Sequence, residues 1–214
     1  MMNILTHPDA FFLQMLDKNE DLRKPALIVL AVGIISALTA VLVAQLSTGL
    51  MPEIGPLILI AAFVGALLGA FFLWFVWSGL IYGISLAFVG EGSFKRTLEF
   101  AGYGLIPQII GSIITLGATL WYLPELSAVA VFPAQFSQGI QGVQAATNAM
   151  MQNPVMIQYL EVTSLVTLVF FLWTAFLWIN GIEHAQKLSP RDAILCAGVP
   201  SVFYAIFLIS QLGA

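Results

Sequence analysis

Residues 56–88 read PLILIAAFVGALLGAFFLWFVWSGLIYGISLAF. No Asp, Glu, Lys, Arg or His interrupts them. At 1.5 Å per residue they make roughly 48 Å of helix, against ~30 Å of hydrocarbon in a bilayer. Such a helix spans the membrane and must tilt, kink or project. Four more uncharged or nearly uncharged runs flank it, at about 25–46, 98–123, 155–182 and 190–212. The run at 98–123, the third span in chain order, contains Pro107.

The basic residues order these runs. Lys18, Arg23 and Lys24 precede the first, Lys95 and Arg96 separate the second from the third, and Lys187 and Arg191 separate the fourth from the fifth. The other connections hold no Lys or Arg. Short cytoplasmic connections carry the Lys/Arg excess. The expected fold is all-α and polytopic: five transmembrane helices, N-terminus cytoplasmic, C-terminus outside. Residues 1–24 are expected to form a cytoplasmic amphipathic segment and 25–214 the five-helix domain.

Composition agrees. The chain is 60% hydrophobic and 8% charged, where a water-soluble domain carries about a quarter charged residues. A net charge of −4 argues against nucleic acid, which needs clustered Lys and Arg. A single Cys196 excludes an internal disulfide, and His7 and His184 do not make a metal site. No cofactor is implied. The polar stretch ahead of the first run is not a secretory signal, so the protein is expected to stay whole in the membrane.

Between the runs lie two further segments. Residues 7–22 predict one short amphipathic helix, with Pro8 in its first turn and Phe11, Phe12, Met15 and Leu16 on one stripe. It lies either in the headgroup layer or packed under the bundle. The outer connection, 124–154, holds Gln135, Gln138, Gln141, Gln144, Asn148, Gln152 and Asn153, with only Glu125 charged. Phe136, Ile140 and Val143 recur at helical spacing, which predicts an amphipathic surface helix; a lid or a loose loop are the alternatives.

A duplication is also legible. Phe71-Phe72-Leu73-Trp74 recurs as Phe170-Phe171-Leu172-Trp173, each followed by Gly-Ile, a basic turn led by Ser93 or Ser189, and Gly102 or Gly198. Shared membrane composition is the competing explanation. Ser189-Pro190-Arg191-Asp192 is a helix start, with Ser as cap and Pro in the first turn.

Few residues suggest chemistry. Gly65, Gly69, Gly79 and Gly83 share one face of the second span within about 40°. Small residues let helices approach closely in lipid, either within the chain or in a homodimer. Glu161 near the outer end of the fourth span, Gln108 after Pro107, and Asn180 are the intramembrane polar candidates. An ionisable group in a span is a functional candidate by default; interhelix hydrogen bonding is expected for Gln108 and Asn180. Glu99, Glu183, His184 and Asp192 read as a solvated, partly paired cytoplasmic surface. No nucleophile stands beside a base, and no phosphate-cradling loop is present. An enzyme is not expected.

The connecting motifs resemble the Ypt-interacting protein (Yip) domain family. Asp21-Leu22-Arg23-Lys24-Pro25 resembles its D-L-x-G-P approach to the first span, with Lys24 in place of Gly. Gly90-Glu91-Gly92-Ser93-Phe94-Lys95, then Gly102-Tyr103 and Pro107, resembles its short loop and G-Y-x-x-x-P third span. Leu188-Ser189-Pro190-Arg191-Asp192-Ala193 resembles its L-S-x-x-R-A start of the last span. The resemblance implies a non-enzymatic five-span protein with a cytoplasmic N-terminus. Eukaryotic members serve vesicle traffic and bind prenylated Rab-type GTPases; the short N-terminal region here is similar to bacterial or archaeal members in a plasma membrane. A scaffold or adaptor of this type would work through its cytoplasmic face (the N-terminal helix, Lys95, Arg96, Gly102-Tyr103, Lys187, Arg191). The residues themselves leave two alternatives: the kinked third span, Gln108, Asn180, Glu161 and the possible repeat would suit a small transporter, channel or lipid-moving protein, and the Gly face of the second span an accessory subunit of a membrane complex. Partners would be membrane lipids, another membrane protein, a small GTPase or a second copy.

Overall fold

The computed structural model describes residues 3–48, 52–129 and 139–210. Among them are five helical stretches long and apolar enough to cross a membrane. In chain order the elements are α1 (Asn3–Thr6), α2 (Pro8–Leu16), α3 (Arg23–Thr48), a 3-10 turn (Pro52–Ile54), α4 (Gly55–Ala87), α5 (Phe94–Gly104), α6 (Ile106–Val129), α7 (Gly139–Met151), α8 (Pro154–Gln186), α9 (Pro190–Ala193), a π turn (Ile194–Gly198) and α10 (Val199–Ser210). No strand occurs among the described residues.

The long helices bury little of themselves. Leu57, Ile60, Leu68, Phe72 and Phe75 of α4 are all more than half exposed. An apolar surface this continuous is stable only against hydrocarbon. α3 lies along α4, closest at Gly33, where a Cβ would stand 3.0 Å from Leu67 and 3.2 Å from Ala70. The chain is an integral membrane protein.

Two of the five spans are interrupted where proline dictates. The third was expected as one helix over 98–123. It is instead two, broken at Leu105, whose N–H turns back to the Gly102 carbonyl. Pro107 has no N–H to continue the α5 ladder and opens α6 in its first turn, where none is needed. α6 then runs through Pro124 to Val129, past the expected start of the outer connection. In the fifth span a π turn ends two residues before Pro200. The wider turn accommodates a ring that clashes with the carbonyl four residues earlier.

The N-terminal segment departs from expectation as well. Helix ends at Leu16 rather than 22. Phe12 is fully buried, and its ring lies against Phe100, 4.9 Å between centroids, and under Gly181. α2 packs under the bundle because its aromatic face has a concave receptor between α5 and α8. In the outer connection α7 is a helix, and Asn153 caps α8 by accepting the Val155 N–H at 2.9 Å. Gln135, Phe136 and Gln138, and the side chains of Ile140, Gln141 and Val143, lie outside the described residues.

Two apolar clusters hold the bundle. The larger sits at the end that carries the basic residues and includes Phe12, Trp74, Phe100, Phe171 and Trp178. The smaller, near the opposite end, joins Leu46, Leu126, Met156 and Tyr159, with the Tyr159 hydroxyl 3.0 Å from Thr119 Oγ1.

Candidate functional site

The basic end is built around the turn from α4 to α5. Val89 adopts φ 59°, a left-handed conformation unusual for a β-branched residue, and starts the turn. Gly92 follows, pressed against the Ala185 carbonyl so closely that a Cβ has no room. From α8 the fully buried Gln186 fastens this turn. Its backbone carbonyl accepts the Glu91 N–H (3.1 Å) and its Oε1 accepts the Gly92 N–H (3.1 Å). Its Nε2 donates to Thr97 Oγ1 (2.8 Å) and to the Ser93 carbonyl (3.4 Å). The amide is thus used on both atoms, as burial requires. Lys187 then ends α8 in the left-handed region, φ 54°.

One helical turn on, Arg96 and Glu99 fasten the N-terminal segment. The Arg96 guanidinium donates to Glu99 Oε2 (2.8 Å), the Met15 carbonyl (3.2 Å) and the Lys18 carbonyl (2.7 Å). Glu99 is fully buried, and its other oxygen accepts the Asp21 N–H (3.3 Å). Ser93 caps α5 by accepting the Arg96 N–H and donates to the Glu20 carboxylate. His184 on α8 meets Asp9 of α2 at 2.7 Å.

Two indoles lock α5 from above. Trp74 Nε1 donates to the Leu98 carbonyl and Trp178 Nε1 to the Ala101 carbonyl, each at 2.9 Å. The second bond satisfies a carbonyl left over by the break at Leu105. Gly102 and Gly104 are where the indoles approach. A Cβ on Gly102 would lie 2.6 Å from Pro25 and 3.0 Å from Trp74 Nε1, and one on Gly104 would strike Trp178.

A family model, the Yip1 domain, matches residues 2–212. The chain belongs to the Yip1 domain family. An uncharacterized protein of Methanocaldococcus jannaschii is 35% identical over 131 residues, which make up 59% of this chain and 92% of that one. The similarity fits a prokaryotic-type member. No solved structure matches. In this Yip1 domain the motif residues converge on one end of the bundle: Asp21 on Glu99, Pro25 on Gly102, and the 90–95 turn on Gln186.

The structure sorts the sequence candidates. Lys95 and Arg191 are exposed and, with Arg23 and Lys24, form no ion pair among the described residues. Lys187 pairs with Glu91 at 3.2 Å, both about 70% exposed, a pair of little energetic weight. Arg96, expected on the working surface, is instead bonded internally, its side chain only 11% exposed. Tyr103 is likewise buried, its ring edge-on to Phe11. Glu99, expected in a solvated surface, is the most deeply buried carboxylate there.

The intramembrane candidates do not come together. Asn180 donates to the Phe176 carbonyl of its own helix at 2.8 Å rather than to a neighbouring helix. Glu161 is exposed near the start of α8. Gln108 faces a cavity and makes no side-chain hydrogen bond among the described residues, so the expected interhelix bond is absent for it too. A Cβ on Gly65, Gly69, Gly79 or Gly83 would meet nothing within 4 Å, so this face packs on no other described part of the chain. Nor do the two tetrapeptides play one role: Trp74 bonds Leu98, whereas Trp173 stacks on Phe170. The Ser93 and Ser189 caps do correspond.

Gln186 and Thr174 were missed by sequence reasoning. Both are uncharged and sit inside an apolar helix. Gln186 carried a weak signal, as the last polar residue before a basic turn.

Proposed function

We propose that this protein is a non-enzymatic membrane scaffold or adaptor whose working surface is its basic end, facing the cytoplasm. In that orientation residues 1–24 are cytoplasmic and the C-terminus is outside. The observation that carries the reading is the pairing of a rigid frame with free cations. Arg96, Glu99 and Gln186 fix the frame, while Arg23, Lys24, Lys95 and Arg191 stand exposed around it without an ion-pair partner among the described residues. Each such cation contributes about 1 kcal/mol toward an anionic leaflet. The same array suits acidic headgroups or the acidic segment of a partner, whether another membrane protein or a small GTPase. The exposed glycine face of α4 supports a homodimer.

The test is gentle extraction from the native membrane, followed by mass spectrometry of stoichiometrically retained proteins and lipids. Retention of an acidic partner or anionic lipid is expected, and its loss on joint Lys95→Gln and Arg191→Gln substitution. Unchanged retention in that variant overturns the reading. A transport path lined by Gln108 and Asn180 finds no support, since Asn180 is bonded to its own helix away from the cavity at Gln108.

A further inference from the structure

Two adjoining chambers, of about 190 and 230 Å³, share Val32, Gln108 and Thr167, and the smaller is cut into the edge of the larger apolar cluster. The one nearer the basic end is walled by Trp74, Trp77, Phe171, Trp178 and Tyr204. The other is lined by hydroxyls and an amide: Ser36, Gln108, Ser112 and Thr115 among them. α3, α4, α6, α8 and α10 all contribute walls, and both chambers are partly open to the surroundings. An engineered cavity of about 150 Å³ already takes benzene.

Of the polar groups here, Thr39, Ser112 and Thr167 bond carbonyls of their own helices, but others have nothing to bond among the described residues. Hydroxyls inside apolar helices ordinarily fold back on the carbonyl four residues earlier. Thr39, Thr119, Thr163, Thr167 and Ser201 all do so. Thr174 does not. It is fully buried, it lines the aromatic chamber, and among the described residues its Oγ1 is the one buried side-chain polar atom without a partner. A buried hydroxyl left without a partner is destabilising. Gln108, Ser36 and Thr115 also make no side-chain hydrogen bond among the described residues, and they face the same space. No Asp, Glu, Lys, Arg or His lines either chamber.

The geometry points to a binding site for an uncharged amphiphile. Its hydrogen-bonding head lies at Gln108, Ser36 and Thr115, its apolar body lies among Trp74, Trp77 and Trp178, and one acceptor atom reaches the Thr174 hydroxyl. The absence of any ionisable lining group selects against a charged head, which would stand desolvated with no counter-ion. The site is separate from the basic end, so it stands or falls independently of the adaptor reading.

The walls supply their own reporter. Three of the five tryptophans line the aromatic chamber; Trp121 and Trp173 do not. In a Trp121→Phe, Trp173→Phe background, a monoacylglycerol with a dibrominated stearoyl chain is titrated into the detergent-solubilised protein and indole quenching is followed. Saturable quenching, reversed by unbrominated monoacylglycerol, is expected. Thr174→Val and Gln108→Leu should each weaken it by about threefold to tenfold. Dibromostearate at alkaline pH, with a carboxylate in place of the glycerol ester, should quench without saturating. Thr174→Val removes an unpaired hydroxyl at constant shape, so the variant should fold with an unchanged or higher melting temperature in the absence of the probe. Non-saturable quenching, quenching equal in wild type and both variants, or saturable quenching by dibromostearate at equal concentration each overturns the proposal, leaving water or bulk detergent as the occupant.

Discussion

Arg96 and Glu99, three residues apart on α5, meet at 2.8 Å with the arginine side chain 11% exposed and the carboxylate fully buried. Neither is a surface group. Together they receive Met15, Lys18 and Asp21 and so hold the N-terminal segment to the bundle. Arg96→Leu would strand a buried carboxylate, which costs about 3–5 kcal/mol when one partner of a buried pair is removed. The expected outcome is a large drop in melting temperature in detergent and early proteolysis within residues 7–22. Arg96→Leu combined with Glu99→Leu should recover part of the loss. A single variant as stable as wild type would refute the clamp.

Glycines divide into two kinds here, and substitution should separate them. Gly92→Ala drives a methyl into the Ala185 backbone carbonyl, which has no rotamer with which to yield. A cost of about 1–3 kcal/mol is expected from forced overpacking. Gly69→Ala on α4 meets nothing within 4 Å and should be neutral or slightly stabilising to the folded chain, by at most ~1 kcal/mol of helix propensity. Thermal unfolding of the two variants, read side by side, gives the contrast. If Gly69→Ala leaves folding intact but lowers energy transfer between labelled copies in vesicles, the face is a homodimer contact.

The spans were legible because a bilayer constrains sequence so narrowly. It demands about 20 apolar residues per helix and drives Lys and Arg to the ends. Where the chain breaks was less legible. Pro107 predicts a disturbance, yet whether a helix kinks or parts depends on who satisfies the freed carbonyls, and that is Trp178, distant in sequence. The basic end was legible as a location and misleading in its details. Lys95 and Arg96 read alike, but successive helical residues point about 100° apart, and packing against α2 turns one outward and the other inward. Thr174 carried no signal at all. Nothing in sequence distinguishes it from hydroxyls such as Thr167 that bond their own helix.

The indole locks can be tested without emptying much volume. Trp178→Phe retains a large ring but removes the donor to Ala101, whose carbonyl lost its helical partner at the Leu105 break. The expected cost is about 1–3 kcal/mol for an unsatisfied buried acceptor. Trp74→Phe should cost less, because the Leu98 carbonyl lies within α5, where the Gly102 N–H is its helical partner. Equal effects in the two variants, measured by chemical denaturation in mixed micelles, would mean that ring packing rather than the hydrogen bond dominates.

The free and committed cations at the basic end make opposite predictions, and their contrast bears on the adaptor reading. Lys95 and Arg191 are exposed without ion-pair partners among the described residues, whereas Arg96 is bonded on every side. Lys95→Gln with Arg191→Gln should leave the melting temperature within about 0.5 kcal/mol equivalent of wild type, as exposed substitutions do. It should nevertheless reduce co-purifying anionic lipid, and the reduction should vanish at high salt, where wild type loses the same lipid through screening. Arg96→Gln should do the reverse, lowering stability while the lipid retained per folded molecule stays constant. A variant pair that moved stability and retention together in both cases would mean that the frame and the surface are one thing. The exposed cations would then be bystanders to whatever the clamp holds in place.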